Sequence, residues 1–236
     1  MATVLLPQEF KESNMTFTEP RKNQMGGSNV LINYATERRT GPLIIQTPRL
    51  RAPFGADRQE SESGGSSRYN VNLTVNNEGK VGEFFELIKQ IEHCVLNTAV
   101  EKSEQWFGKK KSKEVVEELM RSVVKYPKQK DKYDPTLKVR LPSNDKGPQF
   151  TLEDSSKTPI TIWVDGELDL STIPKGCELV AVIQCTGVYF IGKTQFGIGF
   201  KLLKARVFEG NLLKNIDIID DDEDQGEEED ASYVDY

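Results

Sequence analysis

A β-rich α+β fold is predicted for this 236-residue chain. The expectation is a small Greek-key β-barrel with a helical insertion, an irregular N-terminal arm and a disordered acidic C-terminal tail. Three observations predict it. Alternating apolar and polar residues recur in short segments, a helical spacing replaces them between about residues 80 and 127, and glycine-marked turns separate the later segments. With 36% hydrophobic and 29% charged residues, the chain is polar yet able to bury one core.

The elements follow in order. Residues 1–29, with Pro7, Pro20 and Gly26-Gly27-Ser28, read as an arm. Val30 to Ala35 is a short strand, and Leu43 to Thr47, bracketed by Pro42 and Pro48, suits an edge strand. Gln59 to Ser67 is a polar connector. Arg68 to Asn76 alternates, with Tyr69, Val71, Leu73 and Val75 on one face. From Glu83 to Ala99 the period changes, placing Phe84, Ile88, Ile91, Val95 and Ala99 on one helical stripe and His93 away from it. A second helix is expected from Ser112 as N-cap to about Val124, with Val115, Val116, Leu119, Met120 and Val123 inward and Pro127 closing it. Beyond Thr136 come Leu137, Val139 and Leu141, then Thr158 to Val164, Cys177 to Thr186, Val188 to Lys193 and Gln195 to Phe208, with turns at Gly187 and Gly192. One domain spanning 30–214 fits this series, and a five-stranded barrel of the oligonucleotide-binding (OB) type is the first choice.

The charge is uneven. Eleven acids and no base follow Lys214, so the net −6 separates into a body with 31 bases against 26 acids and an acidic tail over 215–236. Such a block of like charge is expected to stay disordered. Nine bases and four acids lie between Lys109 and Lys132, a local excess matching that of the whole body. No apolar run approaches the ~20 residues of a bilayer span, and the N-terminus has no secretory pattern. Cys94, Cys177 and Cys185, odd in number and without Cys-x-x-Cys spacing, read as reduced thiols, not a disulfide framework or a zinc site. One histidine leaves little room for a histidine triad. No Walker loop is present, and Asp165 and Asp169 fall at an Asp-Gly turn. The sequence therefore points away from an enzyme, and no cofactor is called for.

Binding chemistry is better represented. Single strands are held by a basic groove and by aromatic faces. If alternation holds, Phe196, Phe200, Lys204 and Arg206 share a face of the last strand, although a bulge at Leu202-Leu203 would shift the phase. Tyr189 and Lys193 share another face, as do Thr47, Arg49 and Arg51, while Trp163 suits either core or surface. Gly197-Ile198-Gly199 inside a strand marks a barrel bend or a close backbone approach.

Several segments together carry a resemblance. Gly26-Gly27-Ser28 leads into VLINY; PLIIQTPRLRAPFG (42–55), SEQWFGK (103–109), YDPTLKVRLP (133–142) and VYFIGKTQFGIGFKLLKARVF (188–208) follow in order. These resemble the single-stranded-DNA-binding proteins of the nucleocytoplasmic large DNA viruses, the giant viruses, over roughly residues 20 to 210. The resemblance implies an OB-like fold, non-catalytic binding of single strands, and a place in viral DNA replication, recombination or repair. It also implies a location in a cytoplasmic viral factory, the nucleus or the virion. The tail is similar to the acidic, aromatic-ended tails of bacterial and phage single-strand-binding proteins, but ends in Tyr236 and not Phe.

The leading expectation is a sequence-nonspecific single-stranded-DNA-binding protein. Phosphates would meet Arg49, Arg51, Lys109, Lys110, Lys111, Arg140, Lys193, Lys204 and Arg206, and bases would stack on Trp163, Tyr189, Phe196 and Phe200. Asp221, Asp222, Glu223, Asp224, Tyr233 and Tyr236 of the tail would recruit replication proteins or compete for the DNA groove, since a tethered polyanion has a high effective concentration there. RNA is a second candidate ligand, and self-association is open. The alternative is a protein-interaction module, such as a virion component or a chaperone of basic proteins, working through the tail. A nucleic-acid-processing enzyme ranks last.

Overall fold

The computed structural model of the chain describes residues 3–22, 27–37, 39–60, 67–192 and 194–209. Six strands form the main ladder of the central sheet: β1 (Ile44–Arg51), β2 (Ala56–Gln59), β3 (Arg68–Thr74), β4 (Thr136–Leu141), β5 (Glu178–Ile191) and β6 (Gln195–Phe208). Their ladder runs β1–β5–β6–β4–β3–β2, antiparallel throughout except for the parallel β6–β4 pair. β1 and β2 are separated only by residues 52–55, so the two ends of the ladder are halves of one bent strand. Counted as one, they give the five-stranded Greek-key order of an OB barrel. The bend needs Gly55: its φ is +67°, and a Cβ there would lie 2.6 Å from the Ile173 carbonyl oxygen.

The period-two pattern decides which residues fill the barrel. Tyr69, Val71, Leu73 and Val75 point inward from β3 and its end, and Leu137, Val139 and Leu141 do so from β4, all buried. Helix α1 (Gly79–Glu101) is inserted between β3 and β4, and its stripe Phe84, Ile88, Ile91, Val95 and Ala99 has no exposure at all. His93 is exposed, as its offset from that stripe predicts. The short α2 (Ser103–Phe107) brings Trp106 and Phe107 against Phe190 of β5, each with ring centroids 5.8 Å away, while Phe107 packs 5.4 Å from Phe196 of β6.

Several elements differ from expectation. The first strand continues through Pro48 instead of stopping before it. Thr47 and Pro48 together oppose Ala181 in a bulge, and the Ala181 N–H donates to Thr47 Oγ1 (3.0 Å) in place of a ladder bond. The proline is thereby tolerated. The second helix is shorter: α3 covers Lys113–Leu119, with Val116 buried and Val115 exposed. The chain then extends as Met120–Arg121 beside β6 and Val124–Lys125 beside β4, because parallel and antiparallel pairing there replaces further helix. Gly187 is not a turn. It lies within β5 at φ +102°, where a Cβ would meet the Val30 carbonyl oxygen at 2.3 Å. The Thr158 to Val164 segment forms only two-residue strands, and Val164 is exposed. The N-terminal segment docks on the barrel through Leu5, which bridges Ile45.

Candidate nucleic-acid interface

The phase of β6 decides what its side chains do. Phe196, Ile198 and Phe200 face inward and are 0%, 3% and 2% exposed. They hold the aromatic cluster beneath α2, so Phe196 and Phe200 are core residues and present no face to a base. Leu203 is then the extra residue of a bulge: Ile183 pairs with Leu202 and Val182 with Lys204. One inserted residue inverts the alternation. Lys204 and Arg206 therefore face outward on the side opposite to Phe196 and Phe200, and the expected shared face does not exist.

Lys204 and Arg206 are also engaged. Glu153, on the short strand Thr151–Glu153 beside β6, receives Lys204 Nζ at 2.6 Å and Arg206 at 2.5 Å. Hydrogen bonds from these two cations hold the Glu153 carboxyl below the ordinary value. Arg49 is likewise committed, to Glu178 at 2.6 Å and over the Phe208 ring at 4.1 Å. Cross-strand register nonetheless brings Arg49, Arg51, Lys204 and Arg206 to one outward surface of β1, β5 and β6. Thr47, expected beside Arg49 and Arg51, is buried by the bulge.

Freer cations lie elsewhere on the outer face. Arg140 pairs in register with Asn70 on one side and Lys201 on the other, Lys138 with Asn72, and Lys125 with Thr136. Arg140 and Lys125 are exposed, and neither they nor Lys201 form an ion pair among the described residues. Burial first, then the nearby Lys125 and Arg68 charges, push the Lys138 amine below its ordinary value against the pull of Asp57. This row is a positive surface on which an anion is favourable.

A second row carries an aromatic. Reading across the strands, Arg21 pairs with Asn29, Asn29 with Tyr189, Tyr189 with Gly197, and Gly197 with Arg121. Tyr189 is 38% exposed, and both arginines are exposed. At the ~4.8 Å spacing of neighbouring strands each arginine backbone lies about 10 Å from that of Tyr189. The ring rests over Gly197, where a Cβ would come 2.7 Å from the tyrosine hydroxyl. Gly199 similarly faces Thr186 Oγ1 at 2.5 Å. The glycine pair thus marks close approach. The segment after Arg121 is tied to α1: Glu92 Oε1 accepts from the Val123 N–H at 2.7 Å, and burial raises that carboxyl above its ordinary value.

The remaining expected residues scatter. Lys109 and Lys110 are exposed in the loop after α2, and Lys111 lies 5.8 Å from the Phe107 ring. Trp163 is half-buried, its ring about 3.8 Å from where a Gly147 Cβ would stand, in an excursion between β4 and β5 that shares no register with either row. Lys193 and the tail residues Asp221, Asp222, Glu223, Asp224, Tyr233 and Tyr236 lie outside the described residues. Sequence reasoning missed Arg21, Arg121, Lys125, Lys138 and Lys201 as contacts. Arg121 and Lys125 entered only as members of the basic run Lys109 to Lys132, and Arg21 had no signal. All three lie in two-residue strands whose partners are not read locally, whereas Lys138 was legible from its alternation with Leu137 and Val139. Among the described residues no cluster of three or more potential metal ligands occurs, and no helix is long and apolar enough to cross a membrane.

No protein-family model matches the chain, and no curated protein matches its sequence. Among solved structures it is similar to gp2.5, a single-stranded DNA binding protein encoded by bacteriophage T7, at 13% identity and a TM-score of 0.48, over 75% of this chain and 98% of that one. A single-stranded DNA-binding protein from bacteriophage Enc34 in complex with ssDNA gives 12% identity and a TM-score of 0.43, over 80% of this chain and 93% of the other. A C-terminal truncation of the Enc34 protein gives 14% and 0.45, over 81% and 94%. Likeness at these scores assigns no function by itself.

Proposed function

We propose that this chain binds single-stranded DNA without sequence preference and without catalysis, in viral DNA replication, recombination or repair. The observation that carries the reading is the row Arg21–Asn29–Tyr189–Gly197–Arg121: an exposed aromatic ring on the outer face of the sheet, flanked on both sides by exposed arginines. A base stacks on such a ring for about 1–3 kcal/mol, and the backbone on either side meets cations. The positive row of Lys125, Lys138, Arg140 and Lys201 extends the same outward face. The five-segment resemblance to the large-DNA-virus proteins supports the viral setting.

The tail completes the reading through charge. Eleven acids ending in Tyr233-Val234-Asp235-Tyr236 are tethered to a body with excess positive charge. The tail competes for the cationic face and, when displaced, is free to recruit replication proteins. The test is fluorescence anisotropy of a labelled dT oligonucleotide against the full chain and a form lacking 215–236, with duplex DNA and RNA as competitors. Expected are salt-sensitive binding to the single strand, with log K falling by about 0.7 per phosphate contact per decade of salt, and tighter binding without the tail. No binding by either form refutes the function; binding that the deletion leaves unchanged refutes the tail's role.

A further inference from the structure

Residues 126–135 form a loop whose neck is closed by Lys125 pairing with Thr136 and by the Val75 N–H donating to the Pro135 carbonyl at 2.9 Å. Tyr126 and Tyr133 stand on it, 56% and 55% exposed. Both line a cleft of ≈ 390 Å³ together with Asn76, Glu78, Lys130 and Asp134. That size suits one small ligand. Each ring has an ammonium nearby, Lys130 at 5.9 Å from Tyr126 and Lys132 at 5.4 Å from Tyr133. The polar lining is of another kind: Glu78 and Asp134 are acceptors only, and Asn76 Oδ1 already accepts from the Glu78 N–H at 3.0 Å, leaving its amide nitrogen as donor.

We infer that this cleft takes one unstacked nucleobase of the bound strand and prefers a base with an exocyclic amine to thymine. The inference rests on the single-strand reading and departs from it at one position only: along the cationic row the strand is held without sequence preference, and the cleft alone favours an amine-bearing base. The site adjoins the end of the cationic row, since Lys125, next in the chain to Tyr126 of the cleft, lies with Lys138 on one face of the β4 pairing. A strand following that row meets two tyrosine faces with lysines at the rim for its phosphates. Carboxylates accept from the amine of cytosine, as acidic side chains do in base readout, and the Asn76 amide nitrogen answers its ring acceptor. Thymine places its O4 acceptor where cytosine has the amine and an N3–H donor where cytosine has its ring acceptor, so in the same pose an acceptor faces the carboxylate and a donor faces the Asn76 amide nitrogen.

The experiment titrates the full chain into labelled homopolymeric dC and dT oligonucleotides of equal length, with thermal melting as the fold check. Wild type is expected to bind dC more tightly than dT. Tyr126→Ala with Tyr133→Ala should weaken dC binding about five-fold or more and bring the dC:dT ratio to one. Asp134→Asn should lower the dC:dT ratio, chiefly by strengthening dT binding, because the carboxylate that faces the thymine carbonyl is replaced by a neutral amide. Equal affinity of wild type for both strands, or a ratio that these variants do not move, overturns the inference. Failure of the underlying reading looks different: wild type then binds neither strand. Tyr189→Ala, outside the cleft, should weaken both strands equally and keep the ratio.

Discussion

Gly197→Ala tests the interface through a residue that touches no ligand. The added methyl would stand 2.7 Å from the Tyr189 hydroxyl oxygen, 2.9 Å from its Cζ and 3.1 Å from the Arg121 carbonyl oxygen. The first two atoms are the far end of an exposed side chain, so the ring moves and the barrel does not. Gly197 lies in extended strand, so alanine suits its backbone and gains about 0.4–1 kcal/mol by restricting the unfolded chain. Crowding costs about 1–3 kcal/mol where nothing yields, and here most of it is relieved by the tyrosine. The net loss of stability is therefore about 1 kcal/mol or less. Binding, in contrast, loses a stack of about 1–3 kcal/mol, or about 5- to 150-fold in Kd for a dT oligonucleotide. Tyr189→Ala should match it, and the double variant should be no weaker than either single, because both remove one interaction. Anisotropy and thermal melting on the same samples give both numbers. Wild-type affinity in Gly197→Ala, or additive losses in the double variant, refutes the platform.

Arg21→Gln and Arg121→Gln should each weaken binding to all single strands alike and reduce the salt slope by about 0.7, measured by anisotropy across a salt series. Lys204→Gln with Arg206→Gln should lower the melting temperature, since Glu153 loses both partners, and adding Glu153→Gln should restore part of it. The Glu153 carboxyl is held down, so its stabilising effect is present at neutral pH and is lost as pH falls through that depressed value. Glu92 has the opposite sign: its raised carboxyl favours folding when protonated, and that contribution is lost as pH rises through the raised value. The melting-temperature difference of Glu92→Gln over wild type should therefore grow with pH across that range, and a flat difference would count against it. Burial pushes the Cys177 thiol up to about 11 and Cys185 to about 12, so a thiol reagent at mildly alkaline pH should label native protein at Cys94 well before either.

What the sequence made legible was whatever depends on local period. The α1 stripe, the inward residues of β3 and β4, and the bounds Gln195–Phe208 all follow from apolar spacing, which the barrel enforces because a one-residue slip exposes the whole face. The glycine pair of β6 was legible only as a barrel bend or a close backbone approach, and what fills the missing side chains' space is chiefly the Tyr189 and Thr186 side chains. The Leu202-Leu203 bulge was legible from two adjacent apolar residues. Its consequence was not, since the new phase depends on which of the two is left unpaired. Pairing partners were the hidden part. Nothing local to Arg21 or Arg121 says that they flank Tyr189, and nothing near Lys204 reveals Glu153 from a strand some fifty residues earlier, with |i−j| of 53 for Arg206.

The two irregularities of the β5–β6 hairpin explain how one strand serves both core and surface. Before the bulge, β6 sends Phe196, Ile198 and Phe200 inward to anchor α2, and its outward positions are Gly197, Gly199 and Lys201. Two of those three have no side chain, so the Tyr189 ring and Thr186 come close to the backbone there. Without the bulge, the same alternation would put Leu203 outward and turn Lys204 and Arg206 toward the barrel core, where unpaired charge is prohibitive. Inserting one residue keeps Leu202 inside and returns both cations to the surface. The partner strand adjusts at Thr186 and Gly187, where the register shifts again and Gly187 lets the Val30 carbonyl approach. That approach seats the strand Ser28–Val30 beside β5, and through it Arg21 beside Tyr189. The outward row therefore depends on glycines at 187 and 197 as much as on its own charged and aromatic members.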